Sequence, residues 1–358
     1  MSANGCEVLV IGEGLSGIVA AASAAIQGAR VTLVSKGPGN FVLGPTCVDL
    51  ESLDRAKLGM SAVEMEAGID FFLDLTASAA CAYLGGKGEH GLVPTILGTF
   101  QEVSVAPRSL WNANPNKVSK VVVAGIANLP SFDAKFLAER FAYYAAEMGL
   151  KTSFRSEVVS LPHNPKHALT ALEIANHIDR DETYRTSLAH SIHAVVRDAD
   201  LVILPGVLGV KATDADMVCF EEEVGCSVCE LATLPPSVPG LRLLQRLERR
   251  LSEMRVDVYS GFAVQKLCIE NDRCIGVDLE TPGRARRIRA DAVILACGKF
   301  AQFIDASADA NHKYPENVFA CGSLLMQGEP RQRNAISVLT GYQAGLLASQ
   351  QGVQYAGR

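Results

Sequence analysis

The sequence predicts an α/β protein built on a doubly wound parallel sheet with a β-meander and carrying an inserted α/β domain. Three observations predict this fold. An apolar strand, a glycine-rich turn and a helix follow one another at the start of the chain. Apolar runs that end in small residues return near its end. Between them, strand patterns alternate with helix patterns, as in α/β domains.

The first strand, Glu7 to Ile11, is followed by Gly12, Gly14 and Gly17 at G-x-G-x-x-G spacing and then by a helix of small residues. A second strand, Arg30 to Val34, comes next. In this order the first glycine allows a tight turn, the second lets backbone approach a phosphate, and the third lets helix pack on strand. The helix N-terminus offers free amides to the anion. The motif therefore predicts a Rossmann-like FAD/NAD(P)-binding fold.

The end of the second strand departs from this pattern. An acidic residue about 20 positions after the glycines usually binds a ribose. Ser35 occupies that position here, and Lys36 follows it. Three explanations remain open: a cofactor without an adenosine half, such as FMN; a 2′-phosphorylated cofactor, such as NADP; or a site that has lost its ligand.

The middle of the chain predicts the inserted α/β domain, over residues 60–239. Lys120 to Ile126 has the pattern of a buried strand, and Leu201 to Leu204 that of another. Between them Ser131 and Asp133 offer N-caps to a helix that Gly149 ends.

The last third predicts three strands of a meander, Ala263 to Arg289, with turns at Asn271-Asp272 and Pro282-Gly283. The buried strands Asp291 to Ala296 and Asn317 to Gly322 follow.

In a doubly wound sheet, ligands lie outside the carboxyl ends of the strands. The ends of these late strands and the first glycine loop are therefore expected to converge. The nucleotide-binding domain is then discontinuous, residues 1–59 and 240–358. The candidate cofactor-binding residues are Gly12, Gly14, Leu15, Ser16, Gly17, Ser35, Lys36, Ala296, Cys297, Gly298, Gly322, Ser323 and Ala335.

Composition bounds the functional class. The 358 residues are 48% hydrophobic and 20% charged, as in a globular protein of about two domains, and the net charge of −6 argues against a nucleic-acid surface. No signal peptide is evident at the N-terminus, and no apolar run approaches the roughly 20 residues of a membrane span. We expect a cytoplasmic protein that meets the inner face of the membrane only through partners.

The ten cysteines suggest reduced thiols. Only Cys226 and Cys229 have C-x-x-C spacing, and on a strand residues three apart point to opposite faces. No cysteine set has the tight register of an iron–sulfur site. The sequence therefore predicts no metal site, and buried structural cysteines are the default interpretation.

Several motifs together resemble a known class of flavoproteins. GEGLSG at the start, DAVILACG, and ENVFACGS before a small-residue helix look like the glutathione-reductase-like class. LPPSVPGLRL, from Leu234 to Leu243, is more specific. With LGTF near Leu97 and the strand KVVVAGI, it resembles the B subunit of anaerobic glycerol-3-phosphate dehydrogenase. The similarity runs over most of the chain.

The resemblance implies a function. In that family a catalytic flavin subunit oxidises glycerol 3-phosphate to dihydroxyacetone phosphate. The B subunit is associated with FMN, and an iron–sulfur subunit passes electrons toward quinone. The resemblance thus favours FMN, with FAD as the alternative. It implies a flavin-bearing electron-transfer subunit whose partners are the catalytic flavoprotein and the iron–sulfur subunit. The sequence identifies no catalytic residue.

Two departures from the family keep other functions open. The chain is shorter between Gly298 and Tyr314, and a turn expected to be rich in glycine contains Arg331, Gln332 and Arg333. Bulky residues there would alter or prevent approach to a flavin ring. A structural subunit without a competent cofactor is one alternative. A stand-alone FAD or NADP oxidoreductase is another.

The loop that ends at Gly240 and the helix after it carry the last candidates, Ser237 and Arg242. One hypothesis is that the rigid loop before this helix delivers them to the flavin edge or to a partner. The other interpretation is a solvated arginine face formed by Arg242, Arg246 and Arg249. Under the first hypothesis, Arg242→Ala is expected to change stability by less than about 1 kcal/mol, as surface changes usually do.

Overall fold

The computed structural model describes residues 6–77, 82–86, 88–162, 165, 167–280, 286–298, 314–325 and 329–353. The strands are β1 (Glu7–Glu13), β2 (Arg30–Pro38), β3 (Tyr83–Gly85), β4 (Gly91–Pro94), β5 (Phe100–Val103), β6 (Val105–Pro107), β7 (Lys120–Ile126), β8 (Ser153–Val159), β9 (Leu201–Pro205), β10 (Ser227–Leu231), β11 (Asp257–Ser260), β12 (Ala263–Glu270), β13 (Arg273–Glu280), β14 (Arg286–Arg289), β15 (Ala292–Leu295) and β16 (Val318–Ala320). The α-helices are α1 (Leu15–Ile26), α2 (Arg55–Leu58), α3 (Ala62–Thr76), α4 (Arg108–Trp111), α5 (Ala134–Glu147), α6 (Ala171–Ile178), α7 (Glu182–Val196), α8 (Asp214–Val224), α9 (Val238–Glu253) and α10 (Arg333–Val353).

The chain divides into two compact units, each discontinuous in sequence. The first unit comprises Met1–Asn40, Ser52–Leu75 and Leu247–Arg358, and the second comprises Phe41–Glu51 and Thr76–Arg246. These boundaries differ from the expected residues 59 and 239.

The first unit is built on a five-stranded sheet in the order β11-β2-β1-β15-β16, with every pairing parallel. Strands of such sheets are covered on both faces and therefore read as continuous apolar runs. The central strand β1 shows this, since Val8, Leu9, Val10 and Ile11 are all buried. The Rossmann-like topology predicted from the sequence is the one observed.

The meander of the first unit is also as predicted. β12, β13 and β14 form an antiparallel sheet, and β12 and β13 are joined at Asn271 and Asp272, whose φ angles are 50° and 57°. Two adjacent residues with positive φ are typical of the tightest hairpin turns, and Asn and Asp tolerate this conformation. The other predicted turn, Pro282-Gly283, lies outside the described residues.

Helices α1 and α10 of the first unit pack in close contact through glycine. A Cβ atom at Gly341 would lie 2.5 Å from the carbonyl oxygen of Ser16, and one at Gly345 would lie 2.5 Å from that of Ala20. A larger residue at either position would push the helices apart. This contact fixes the first turns of α1 against α10.

The second unit contains a four-stranded parallel sheet in the order β10-β9-β7-β8, with α5 to α8 in the connections. The predicted strands at β7 and β9 are present. Asp133 caps α5 by accepting a hydrogen bond from the amide of Phe136, and Gly149, with φ of 69°, follows its end. The α/β character of this region agrees with the prediction.

Candidate cofactor site

Gly12 and Gly17 hold the first strand and helix against the end of β15. Gly12 has φ of 113°, and a Cβ there would lie 2.5 Å from the carbonyl oxygen of Ala296. A Cβ at Gly17 would lie 1.8 Å from the carbonyl oxygen of Gly12. Backbone atoms at such distances cannot yield as a flexible side chain could. Both glycines are therefore required by packing, as the motif predicts.

Gly14 is different, because no atom lies within 4 Å of a Cβ placed on it. It is the N-cap residue of α1 and provides no side-chain cap. The first amides of a helix have no partner within the helix, and they carry a partial positive charge. Space beside Gly14, in front of these amides, is what a cofactor phosphate requires. The residues present thus fit a phosphate of the kind that the motif predicts.

The ends of β15 and β16 lie close to the same helix. Gly322 has φ of 65°, and a Cβ there would lie 2.5 Å from Oγ of Ser16. Its amide donates to Oγ1 of Thr340 at 2.8 Å. A Cβ on Gly298 would lie 3.4 Å from Oγ of Ser323. The structure therefore brings these candidates together, and their contact with a cofactor stays a prediction.

The C-terminal turn is arranged around its own side chains. Glu329 and Gln332 form a reciprocal cap before α10, in which the amide of Glu329 donates to Oε1 of Gln332 at 3.0 Å. Ala335 is fully buried in the first turn of α10, whereas Arg331 and Arg333 are exposed. The capping takes up backbone groups that a glycine-rich turn would offer to a ligand.

Burial raises the pKa of several cysteine thiols in both units. Burial raises the pKa of Cys297 to about 11 and that of Cys321 to about 12. Burial also raises the pKa of Cys226 to about 11 and that of Cys229 above its ordinary value. The thiolate is the nucleophile and the metal ligand, so the raised pKa values disfavour both roles for these cysteines. Across the described residues, no cluster of three or more His, Cys, Asp or Glu could hold a metal ion.

Sequence reasoning missed Glu13, which lies between Gly12 and Gly14. Its side chain is buried at 3% exposure, and its Oε2 accepts hydrogen bonds from Oγ of Ser35 at 2.6 Å and Oγ of Ser260 at 2.7 Å. The inference of FMN assumed that no carboxylate lies near position 35, and that assumption is wrong. The sequence did contain a signal for this contact. It has an acid inside the glycine motif together with a serine at the position of the ribose-binding acid.

The arginine face on α9 is not solvated, contrary to that interpretation. Arg242 and Arg246 are 6% and 7% exposed, and Arg242 pairs with Glu230 at 2.6 Å. Ser237 is fully buried, and its Oγ accepts from the amide of Gly240 at 3.3 Å. Only Arg249, whose side chain is 81% exposed, behaves as a surface residue. The proposed role of Ser237 and Arg242 toward a partner stays a prediction, and it would have to act through loop geometry.

A cavity in the second unit is lined by several of these charged side chains. Its lining includes Tyr83, Arg108, Asp214, Glu230, Arg242 and Arg246. Arg108 donates to Glu221 at 2.9 Å, and Arg246 donates to the carbonyl oxygen of Thr76 at 3.2 Å. The arginines are thus engaged with groups of their own unit, which indicates a structural role.

Comparison with known proteins finds a family match that includes the glycine loop. Residues 7–43 and 236–328 match the family described as FAD binding domain. The probable B subunit of anaerobic glycerol-3-phosphate dehydrogenase from Halobacterium salinarum is 27% identical, over 88% of this chain and 78% of that protein. The corresponding B subunit from Yersinia enterocolitica is 24% identical, over 82% of this chain and 74% of that protein. The resemblance seen in the sequence is confirmed.

Solved structures give more distant matches. The 3-ketosteroid Δ1-dehydrogenase of Sterolibacterium denitrificans is 15% identical with a TM-score of 0.35, over 81% of this chain and 47% of that one. The L-proline dehydrogenase of P. horikoshii is 14% identical with a TM-score of 0.35, over 87% of this chain and 57% of that one. In the described parts of the chain, no helix has both the length and the apolarity needed to cross a membrane.

Proposed function

Because the chain is similar over most of its length to the B subunit of anaerobic glycerol-3-phosphate dehydrogenase, we propose that it is a flavin-bearing electron-transfer subunit of a multisubunit dehydrogenase. The observation that carries this proposal is that a Cβ on Gly14, at the N-terminus of α1, would meet no protein atom within 4 Å, in a region that matches an FAD binding domain. A bound flavin would supply the two-electron redox chemistry that protein side chains lack.

The residues of the chain would bind and orient the cofactor. The amides at the start of α1 would hold a phosphate beside Gly14, and Gly322 keeps the adjoining turn close to Ser16. Burial raises the pKa of Cys297 and Cys321, which disfavours the thiolate that a nucleophilic role would need. In this proposal substrate oxidation belongs to a catalytic flavoprotein partner. An iron–sulfur partner receives the electrons, and any membrane contact goes through these partners.

The cofactor of this proposal is FAD ahead of FMN. The matching family is an FAD binding domain, and the carboxylate of Glu13 lies beside position 35, where the sequence lacked an acid. We therefore expect heat denaturation of the natively purified protein to release FAD in stoichiometric amount, with the ligand identified by mass spectrometry. Release of FMN alone would contradict the assignment and leave the flavin proposal standing.

The isolated chain is expected not to oxidise glycerol 3-phosphate. The proposal assigns substrate oxidation to the catalytic flavoprotein subunit, because this chain is similar to the B subunit of the dehydrogenase. The measurement is reduction of an artificial dye with the chain alone and with the native complex. Affinity purification from the source cells should recover a second flavoprotein and an iron–sulfur protein. Substrate-dependent reduction of the dye by the isolated chain would contradict the assignment of substrate oxidation to a partner subunit.

A structural subunit without cofactor is the second candidate, and the self-capped turn at Glu329 and Gln332 favours it. The visible absorption spectrum of the purified chain separates the two. Flavin bands support the first candidate. A colourless protein that unfolds cooperatively and binds no added flavin supports the second.

A further inference from the structure

A buried carboxylate lies at the carboxyl edge of the sheet in the first unit. β2 and β11 are neighbouring parallel strands on which Ser35 and Ser260 are paired in register. Their hydroxyl groups therefore lie side by side, and both donate to the same oxygen of Glu13. Glu13 comes from the end of β1, so three strands contribute to one small polar cluster.

The surroundings of this carboxylate are unusual for a buried charge. Burying an ionised carboxylate is costly unless hydrogen bonds or cations compensate. Among the described residues, the hydrogen bonds to the side chain of Glu13 come from two hydroxyl groups, and both fall on Oε2. Oε1 thus keeps capacity to accept a hydrogen bond from a ligand. The two serines fix the direction of the carboxylate and would leave this oxygen for binding.

The position of the cluster indicates which ligand group it would meet. In dinucleotide-binding folds, the acid at the end of the second strand binds ribose hydroxyls. Here that position holds Ser35, and the Glu13 carboxylate is one hydrogen bond away, at 2.6 Å. A 2′-phosphate would be repelled by this negative charge. The chemistry therefore favours an unphosphorylated ribose, as in the adenosine half of FAD.

We propose that Glu13, held by Ser35 and Ser260, supplies from the glycine loop the ribose-binding carboxylate that is missing from the end of β2. This inference rests on the proposed flavin-binding function and adds the residue that selects a cofactor with an adenosine half. Glu13 is a binding and specificity residue with no part in the redox step.

The experiment measures equilibrium binding of FAD, ADP and FMN to flavin-free full-length protein by calorimetry. ADP tests the adenosine half alone, and FMN tests the rest. Glu13→Gly is expected to weaken the affinities for FAD and ADP by about 10- to 100-fold, the range for a hydrogen bond to a charged group. The affinity for FMN should stay within about twofold of the wild-type value. Glu13→Gln is nearly isosteric and is also expected to weaken the affinities for FAD and ADP. It replaces the glycine variant in the experiment if that variant does not fold.

The relocation variant Glu13→Gly with Ser35→Glu returns an acid to the end of β2 and should restore most of the FAD affinity. Glu248→Gln is the matched control. Burial and then the charge of Glu13 raise the pKa of Glu248, so it is a nearby acid outside the hydroxyl cluster. We expect its removal to leave the preference for FAD over FMN unchanged.

Two results would overturn the inference alone. In the first, Glu13→Gly binds FAD and ADP as tightly as wild type or more tightly, which would mean that the side chain fills the adenosine space. In the second, wild type binds FMN but neither FAD nor ADP. Both leave the proposed flavin function intact. Wild-type protein that binds no flavin at all would overturn the proposed function and the inference together.

Discussion

Gly14→Val is expected to reduce the flavin content of the purified protein by at least about tenfold, because a side chain there would occupy the space that the phosphate needs. The variant should fold normally. Gly14 has extended backbone angles, φ −80° and ψ 173°, which valine also adopts, and no atom lies within 4 Å of the new Cβ. The measurements are the ratio of flavin to protein absorbance and the thermal unfolding midpoint of the flavin-free protein.

Gly12→Ala and Gly17→Ala are the matched controls, since both change the same motif. Their new Cβ atoms would lie 2.5 Å and 1.8 Å from backbone carbonyl oxygens, so the loop would have to shift. We expect these variants to lower the unfolding midpoint of the flavin-free protein as well as flavin content. Full flavin content in Gly14→Val would show that no phosphate lies beside this residue. A loss of stability equal to that of the controls would show that the glycine is structural.

The backbone features were predictable where one short segment determines them. The G-x-G-x-x-G spacing predicted the turn between β1 and α1, because two of its steric reasons lie within the segment: the positive φ of Gly12, and the 1.8 Å approach of a Cβ on Gly17 to the carbonyl oxygen of Gly12. The pair Asn271-Asp272 placed the meander turn, because both residues tolerate positive φ. Uninterrupted runs of apolar residues predicted the buried parallel strands, since both faces of such a sheet are covered.

The polar side chains could not be assigned in the same way, because their partners are distant in sequence. Glu13 is 247 residues from Ser260, and only the parallel pairing of β11 with β2 brings that hydroxyl to the carboxylate. The face of α9 was misjudged for a related reason. A helical pattern places Arg242 on a polar side, but the end of β10 supplies Glu230 to that side. The hydrophobic pattern of a helix distinguishes its polar face from its apolar face. It does not show whether the polar face is buried against another part of the protein.

Arg242→Ala is expected to lower the free energy of unfolding of the second unit by about 3–5 kcal/mol, the usual cost of removing one partner of a buried ion pair. Glu230 would remain as a buried charge, and its Oε1 would keep only the amide of Leu208, at 2.9 Å. The carbonyl oxygen of Gly209 would also lose the donors Nε and Nη2 of Arg242, at 2.8 Å and 2.6 Å. This replaces the expectation of less than about 1 kcal/mol, which assumed an exposed side chain.

Urea unfolding followed by tryptophan fluorescence measures this effect, because the single tryptophan of the chain, Trp111, is buried in the second unit. Arg249→Ala is the matched control on the same helix. Its exposed pair with Glu253 should contribute less than about 1 kcal/mol. Arg242→Met combined with Glu230→Gln removes both charges while glutamine still accepts from Leu208, so it should recover about 2 kcal/mol or more of the loss. If Arg242→Ala unfolds at the same urea concentration as Arg249→Ala, the buried pair does not hold the loop at Gly209 against α9.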